Sequence, residues 1–409
     1  DPGVGQAARR VASRRGSPER RPHIRQRAWW RAHPHDHRFA GGEAVAAREG
    51  VADGVGAERT IADDVVVDDA AGIVGEGREQ RVGLTDQQAA QHRQFIPLDP
   101  FGDVSSTLGG IVASASSGPL RCGYGTPRDW LIGIRVVHPN GGITKAGGKV
   151  VKNVAGYDLC KLYTGSFGSL AVIAEMSFKL RALPTSEKTL VFYAADAESL
   201  CWLALRISDS DVQPAAMELI SPSADLSLPI EPRRFALVLR FLNEAETVEF
   251  QLNEAARIGH DFDRTVMSDA DAEAFWTAYH ETETDDLWAY NLRLSVLPAD
   301  LNDVVKDVGQ FLPQSVWRAH AGSGVLRVLA KEDLFEGLQT KRRPKFVSEL
   351  RQLTQARGGQ LVMLNAPQML KDQLDTWGDV GSIARLMREL KKRFDPDAQL
   401  SPGRFIGGI

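Results

Sequence analysis

Glycine recurs singly and in pairs between residues 97 and 183, interleaved with small hydroxyl residues and short β-branched runs. Three of the glycine-containing strings are T-L-G-G from Thr107, G-Y-G-T-P-R-D from Gly123 and G-S-F-G-S-L from Gly165. Glycine has no Cβ, so its backbone can adopt a positive φ and approach a ligand closely. Such strings in succession indicate a chain laid along one large, phosphate-bearing ligand. Glycine-rich hairpins are the plainer interpretation, because short glycine motifs often occur by chance.

These strings, with D-P from Asp99 and V-V-K-N-V-A-G-Y-D-L from Val150, resemble the second half of an FAD-binding domain. The domain is that of the vanillyl-alcohol-oxidase type, the PCMH fold. Within this superfamily the sequence is most similar to the FAD-binding subunits of bacterial glycolate oxidases. A second matching stretch closes the chain, with W-G at Trp377 followed by R-F-D-P and L-S-P-G-R-F. The resemblance extends from about Gln94 to Ile409.

The resemblance implies both the fold and the cofactor. It implies an α+β chain in which a PCMH-type FAD-binding domain precedes a ferredoxin-like α+β cap, with FAD as the cofactor. The amides of Thr107–Gly110 would face the pyrophosphate, and the small residues Ser114–Gly118 would admit the isoalloxazine or the ribityl chain. No catalytic residue is assigned. The residues predicted to bind the cofactor are Pro100, Thr107, Leu108, Gly109, Gly110, Ser114, Ser117, Gly118, Tyr124, Gly125, Asp129, Gly165, Gly168 and Ile173.

Composition and pattern divide the chain into four segments, of which three match the family. Residues 94–184 are the second half of the FAD-binding domain, residues 185–375 are the cap, and residues 376–409 are a helical segment that returns to the FAD domain. In the cap, strands and helices between Thr189 and Met267 follow the order β-α-β-β-α-β, which is typical of the ferredoxin-like split unit. Elements between Trp288 and Leu329 are predicted to extend this unit, and further helices and strands as far as Arg393 follow it.

The first segment, residues 1–93, has a different character. It contains a single leucine, Leu84, no lysine and no tyrosine, and it shows neither helical nor alternating periodicity. Such a chain buries too little apolar area to offset its ordering entropy. The related domains carry here a G-G-G-T loop that cradles the pyrophosphate, whereas the nearest pair in this chain is Gly41-Gly42. We therefore expect a disordered extension or a frame-shifted coding sequence, and in both cases half of the phosphate cradle is missing.

The string H-A-G-S-G-V-L-R from His320 departs from the related hydroxyacid-oxidising proteins. They carry a metal-binding string of similar form, with a second histidine where this chain has Arg327. One imidazole without a partner is a poor site for a divalent ion, so no metal site is predicted. His320 is expected to be a packed or hydrogen-bonded residue at a strand end. The departure indicates that this chain does not oxidise the hydroxyacid directly.

Composition and charge exclude several classes of function. The chain has 409 residues and a net charge of −4, which gives no reason to expect nucleic acid or an anionic membrane as a partner. No apolar run is long enough to span a bilayer, and no signal peptide is recognisable. The three isolated cysteines provide no iron–sulfur cluster and indicate a reducing compartment. We expect a cytoplasmic protein, peripheral to the inner membrane only through a complex.

Three functions remain open. The first is the FAD-binding subunit of a multi-subunit glycolate oxidase, a 2-hydroxyacid dehydrogenase that converts glycolate to glyoxylate. It would work beside a homologous FAD-containing catalytic subunit and an iron–sulfur subunit. The second is a non-catalytic scaffold subunit of the same complex that has lost the flavin. The third is a free-standing FAD-linked oxidase, against which the departure at Arg327 argues. A Rossmann domain is not indicated, because no G-x-G-x-x-G follows a strand and opens a helix.

Overall fold

The structure is a computed structural model, and it describes residues 44–46, 66–68, 74–76, 88–102, 106–148, 157–282, 287–332 and 343–409. All of these residues belong to one compact unit that spans residues 41–409. Helices and strands are mixed within it, which confirms the predicted α+β class. The prediction that residues 1–93 are disordered or frame-shifted falls largely on residues outside the described ranges.

A six-stranded sheet forms the body of the FAD-domain half. Two of its strands form the hairpin that the sequence predicts, with strands at Ile132–His138 and Ile143–Ala146 joined by a P-N-G-G turn. In this hairpin the N–H of His138 donates to the carbonyl of Gly142 at 2.8 Å. The strand after the hairpin, predicted over Leu170–Leu180, also lies in this sheet. Across the sheet the strands are β2 (Val66–Asp68), β1 (Ala44–Ala46), β3 (Val74–Glu76), β7 (Val172–Phe178), β5 (Leu131–Val137) and β6 (Ile143–Gly147).

Short helices pack on this sheet. Helix α1 (Leu108–Ser114) begins at Thr107, whose hydroxyl accepts a hydrogen bond from the Gly110 N–H and so caps the helix. Its residues Leu108, Ile111 and Val112 share one helical face and join the buried core of this half. The remaining elements of this half are α2 (Arg121–Tyr124), α3 (Pro127–Trp130), α4 (Leu159–Tyr163) and a two-stranded sheet of β4 (Gln94–Phe95) and β8 (Arg181–Ala182).

The cap is built on an eight-stranded sheet, and its first four strands confirm the predicted ferredoxin-like unit. They lie in the order β12-β9-β11-β10, with every neighbouring pair antiparallel. Two helices connect them in the split arrangement. The elements along the chain are β9 (Ser186–Ala194), α5 (Ala197–Ser208), β10 (Ala216–Ile220), β11 (Phe235–Asn243), α6 (Ala245–Ile258) and β12 (Asp263–Val266).

The next elements repeat the same order and form a second ferredoxin-like unit. Its strands lie in the order β14-β15-β13-β16, and β14 pairs antiparallel with β10 to join the two units into one sheet. The sequence predicted only an extension of the first unit here. The elements are β13 (Tyr290–Ser295), the 3-10 helix Pro298–Asp300, α8 (Leu301–Phe311), β14 (Val316–His320), β15 (Val325–Ala330), α9 (Arg343–Ala356) and β16 (Gln360–Asn365).

The two faces of the cap sheet are covered differently. Helices α5, α6, α8 and α9 pack on one face and enclose the largest apolar core. A helix that the sequence did not predict, α7 (Asp269–Glu281), packs on the other face through Phe275, Trp276 and Tyr279. Its first turn is capped by Ser268, whose hydroxyl accepts from the Asp271 N–H at 3.2 Å.

The C-terminal segment contains α10 (Gln368–Lys371), α11 (Ile383–Phe394) and the 3-10 helix Ile406–Gly408, and it contacts the FAD-domain half. The ammonium of Lys391 lies 2.5 Å from a carboxylate oxygen of Asp395 and donates to the carbonyls of Ser169 at 2.9 Å and Leu400 at 2.8 Å. This cluster fastens α11 to the loop that follows α4. None of the helices in the described part of the chain is long and apolar enough to cross a membrane.

Candidate flavin site and interdomain cleft

The loop of residues 97–102 lies between the FAD-domain half and the cap. The Asp99 carboxylate accepts hydrogen bonds from the N–H groups of Gly118 at 3.2 Å and Leu120 at 2.6 Å. A Cβ on Gly118 would lie 2.0 Å from the carbonyl oxygen of Asp99, so only glycine permits this approach. Burial raises the pKa of Asp99 to about 7, although these N–H donors and Arg240 oppose the shift. Asp99 therefore joins two glycine-bearing stretches predicted to hold the cofactor.

A cleft of about 860 Å³ opens beside this loop. One wall consists of Leu98, Asp99, Pro100 and Gly102 from the FAD-domain half. The other wall belongs to the cap and includes the start of β9, Arg240 on β11 and one side of α7. The volume is within the range of small-molecule sites, and clefts between domains are a common place for them.

The cations of the cleft are paired with acids of the same cleft. Arg240 forms a two-point ion pair with Glu187, at 2.7 and 3.1 Å, and Lys188 lies 3.0 Å from Asp269. His280 also lines the cleft, and burial together with Arg318 and Arg240 lowers its pKa to about 4. Its imidazole is therefore neutral at physiological pH. The cleft offers a ligand hydrogen-bonding and aromatic groups, whereas its positive charges are already neutralised.

Comparisons with known proteins show which proteins the chain resembles. Residues 81–147 match the model of the FAD binding domain family. Glycolate oxidase subunit GlcD of Bacillus subtilis is 27% identical over 342 residues, covering 76% of this chain and 70% of that protein. These matches support an FAD-linked oxidase of the PCMH type. A further family model, Brucella outer membrane protein 2, matches residues 34–99, so the two family models overlap over residues 81–99.

Other relatives match the chain over shorter stretches. Glycolate oxidase subunit GlcE of Escherichia coli is 40% identical over 99 residues, which are 24% of this chain and 28% of that protein. The mitochondrial D-lactate dehydrogenase (cytochrome) of Arabidopsis thaliana is 36% identical over 126 residues, covering 31% of this chain and 22% of that protein. The higher identities are therefore confined to short stretches of the chain.

A solved structure supports the fold of the chain. Alkyldihydroxyacetonephosphate synthase matches with a TM-score of 0.60 and 16% identity, covering 80% of this chain and 64% of that chain. The chain thus spans just under two thirds of that structure's length. At this identity the likeness shows the fold, and the cofactor rests on the sequence matches.

The described residues could hold part of an FAD molecule. The first N–H groups of an α-helix have no acceptor within the helix. At the start of α1 the hydroxyl of Thr107 accepts from the N–H of Gly110 at 3.1 Å. No group among the described residues accepts from the N–H groups of Leu108 and Gly109, which could therefore face phosphate oxygens. Gly110 itself is exposed. The loop that would hold the pyrophosphate from the opposite side is expected in residues 1–93, mostly outside the described ranges.

Several predicted residues have side chains engaged within the FAD-domain half. Leu108 and Ile173 belong to its buried core. The carboxylate of Asp129 accepts from the N–H and the hydroxyl of Thr126, at 2.8 and 2.9 Å, and caps α3. Gly125 has a φ of 84°, and a Cβ there would lie 2.7 Å from that carboxylate. These residues could offer a cofactor their backbone but not their side chains.

Three of the other predicted residues have side chains inside the same half. Ser114 donates its hydroxyl to the carbonyl of Gly110 at 2.7 Å, Ser117 is buried, and the ring of Tyr124 packs edge-on against Phe95. Thr107, Leu108, Gly109, Gly110 and Ser114 thus stay together on α1 and its cap, while Pro100 alone of the predicted set lines the cleft. The cofactor-binding assignment of all these residues stays a prediction.

The loop of Gly165 and Gly168 is held by the C-terminal segment. Both glycines have positive φ, 76° and 68°. Between them the ring of Phe167 stacks on Phe405 and meets Trp377 edge-on, with centroid distances of 5.3 and 4.9 Å. The W-G and L-S-P-G-R-F strings thus shape a predicted cofactor loop. The string from Val150 to Gly156, which the resemblance places near the cofactor, lies outside the described residues.

His320 lies at the end of β14, as predicted, in a buried polar cluster. Its Nδ1 lies 2.8 and 2.9 Å from the carboxylate oxygens of Glu218, which also accepts a hydrogen bond from the Tyr279 hydroxyl. On the same face of the sheet, Arg327 pairs in register with Arg318 of β14. Within the described ranges no group of three or more His, Cys, Asp or Glu side chains is arranged to hold a metal ion.

Sequence reasoning missed most of the residues that build the cleft. Trp276 and His280 lie on α7, which the sequence did not predict. Arg240 falls within a strand, and no role at a site was predicted for it. A signal for α7 was present in Ser268 followed by acidic residues in the first turn, which is a helix start. Nothing in the sequence could have placed Asp99 and Arg240 on opposite walls of one cleft.

Proposed function

We propose that the chain is the FAD-binding subunit of a multi-subunit 2-hydroxyacid dehydrogenase that oxidises glycolate to glyoxylate. The observation that carries the proposal is the similarity to GlcD along most of the chain, which takes in the FAD-domain half, the cap and the interface between them. The short match to GlcE supports a place in a complex of related subunits. We further propose a homologous FAD-containing catalytic subunit and an iron–sulfur subunit as partners in the cytoplasm.

When bound, FAD would accept the two electrons removed from the hydroxyl-bearing carbon. The chain's own contribution is to bind and orient. The predicted backbone amides at the start of α1 would hold phosphate oxygens, and the 97–102 loop would lie between this phosphate-binding stretch and the cleft. The cleft would shield the reacting groups from water with the apolar surfaces of Leu98 and Trp276.

The charges of the cleft support oxidation of the hydroxy acid in the complex rather than by this chain alone. A 2-hydroxy carboxylate needs a cation or several donors to hold it, and both cations that line the cleft are paired with acids. Arg327 also stands where the related hydroxyacid-oxidising proteins keep a second histidine. We therefore expect little activity from the isolated chain.

The test is anaerobic mixing of the purified chain with FAD, followed by glycolate or D-lactate. Flavin absorbance should stay unchanged with either acid until the partner subunits are added. Rapid bleaching by either acid without partners would contradict the requirement for a complex. A chain with the coding frame of the first segment corrected should be assayed beside the chain as given, because residues 1–93 carry the expected second half of the phosphate cradle.

A flavin-free scaffold subunit is the second candidate. It is favoured by one observation, the absence of a G-G-G-T string from the first segment of the sequence. Visible absorbance of the purified chain after incubation with FAD separates the two. A chain that retains no flavin in either version, yet still assembles with its partners, would establish the scaffold role.

A further inference from the structure

The side chain of Phe101 contacts a group of cap residues on the face of the sheet that carries α7. Its ring stacks on the imidazole of His320, with a centroid distance of 5.5 Å and an interplanar angle of 18°. The guanidinium of Arg318 lies 4.3 Å from the centre of the Phe101 ring, and that of Arg327 lies 5.5 Å away. Cation–π attraction is strongest where the cation is removed from water, and Arg318 is buried.

The neighbours of Phe101 contact both halves of the chain. On one side, the Asp99 carboxylate holds the N–H groups of Gly118 and Leu120 in the FAD-domain half. On the other side, the N–H of Gly102 donates to the carbonyl of His280 on α7 at 3.1 Å. Asp99 and Gly102 therefore bond the 97–102 loop to the predicted cofactor-binding stretch and to the cap, respectively.

We propose that Phe101 is a positioning residue that couples the cap to the FAD-domain half and so fixes the width of the cleft. Asp99, Pro100 and Gly102 form one wall of the cleft, and Phe101 anchors that wall to the cap. An aromatic ring is required because its π face attracts a guanidinium and stacks on an imidazole, whereas an aliphatic side chain only fills the space. The inference rests on the proposed function solely in treating the cleft as the place where cofactor and substrate meet.

The experiment is amide hydrogen exchange of the full chain, compared with its Phe101→Leu and Phe101→Tyr variants. In Phe101→Leu, the peptides that contain the N–H groups of Gly118 and Leu120 should exchange about tenfold faster, because the Asp99 loop is no longer anchored to the cap. In Phe101→Tyr, which keeps the ring, exchange in these peptides should stay near that of the unaltered chain. No flavin is needed, so the outcome is independent of the proposed function.

The matched control is Phe235→Leu. Phe235 is also half-buried and also packs on an aromatic ring, that of Trp317 at 5.8 Å, but it borders the apolar core on the opposite face of the cap sheet. Exchange at Gly118 and Leu120 should not change in this variant. If Phe101→Leu does not fold, Phe101→Met removes the ring with a more adaptable side chain. The proposal would be overturned if exchange at Gly118 and Leu120 stayed unchanged in Phe101→Leu or Phe101→Met. It would also be overturned if exchange there became faster in Phe101→Tyr, or equally fast in Phe235→Leu and Phe101→Leu.

Discussion

Replacing Lys391 with methionine should release the C-terminal segment from the FAD-domain half. In the folded chain the ammonium of Lys391 contacts the carboxylate of Asp395 at 2.5 Å and donates to the carbonyls of Ser169 and Leu400. The side chains of the ion pair are 9% and 0% exposed. Methionine has a comparable length and no charge, so the substitution removes the cation with little change in volume.

The expected cost follows from the buried ion pair. In Lys391→Met, Asp395 keeps the N–H donors of Gln399 and Leu400, at 3.0 and 2.8 Å, but loses its counter-charge. Breaking a buried pair by removing one partner costs about 3–5 kcal/mol. Because the two amides continue to stabilise the carboxylate, we expect about 3 kcal/mol, a large part of the ~5–15 kcal/mol that holds a typical protein folded.

The assay is denaturant unfolding of the variant and two controls, followed by fluorescence. Lys392→Met changes the adjacent, exposed lysine on the same helix and should shift the free energy of unfolding by about 0.5 kcal/mol at most. Lys391→Met/Asp395→Asn removes both charges but keeps a side-chain oxygen that can accept from the N–H of Gln399 or Leu400, so it should recover part of the loss. A cost below about 1 kcal/mol for Lys391→Met, or a double variant less stable than the single one, would refute the reasoning.

Three further outcomes are expected. The pKa of Asp99 is raised from 3.8 to about 7, so its contribution to the free energy of unfolding should fall as the pH rises from about 4 to 7. Urea unfolding at pH 5 and 8 should show this slope, and Asp99→Asn should lack it. Gly118→Ala should destabilise the 97–102 loop, measured as faster proteolysis there, because its Cβ would meet the Asp99 carbonyl. Gly110→Val should abolish flavin retention without unfolding the cap, which circular dichroism can check, since its Cβ would crowd Thr107 and the phosphate approach.

Much of the fold could be predicted from local pattern. The turn string P-N-G-G from Pro139 predicted the hairpin of β5 and β6, and the β-α-β-β-α-β order predicted the first ferredoxin-like unit. These features depend on neighbouring residues, so the sequence contains the information directly.

The candidate site depends on contacts between distant residues, which local pattern does not encode. Helix α7 was missed because alanine and acidic residues occupy most of its first half, so its apolar stripe is short. Lys391 reaches the carbonyl of Ser169 across a separation of 222 residues. The second ferredoxin-like unit was missed for a different reason, since its elements were recognised singly and the repetition of their order was not.

That repetition makes the centre of the cap equivalent to a dimer interface contained within one chain. Strands β10 and β14 occupy the same place in their units and pair around Leu219 and Ala319. Two separate identical subunits paired in this way would repeat every contact on both sides of a two-fold axis. Here the two sides differ, since Glu218 faces His320 on one and Ile220 faces Arg318 on the other. Joining the units in one polypeptide thus permits a polar asymmetry, and with it a docking place for Phe101, that a symmetric pair could not contain.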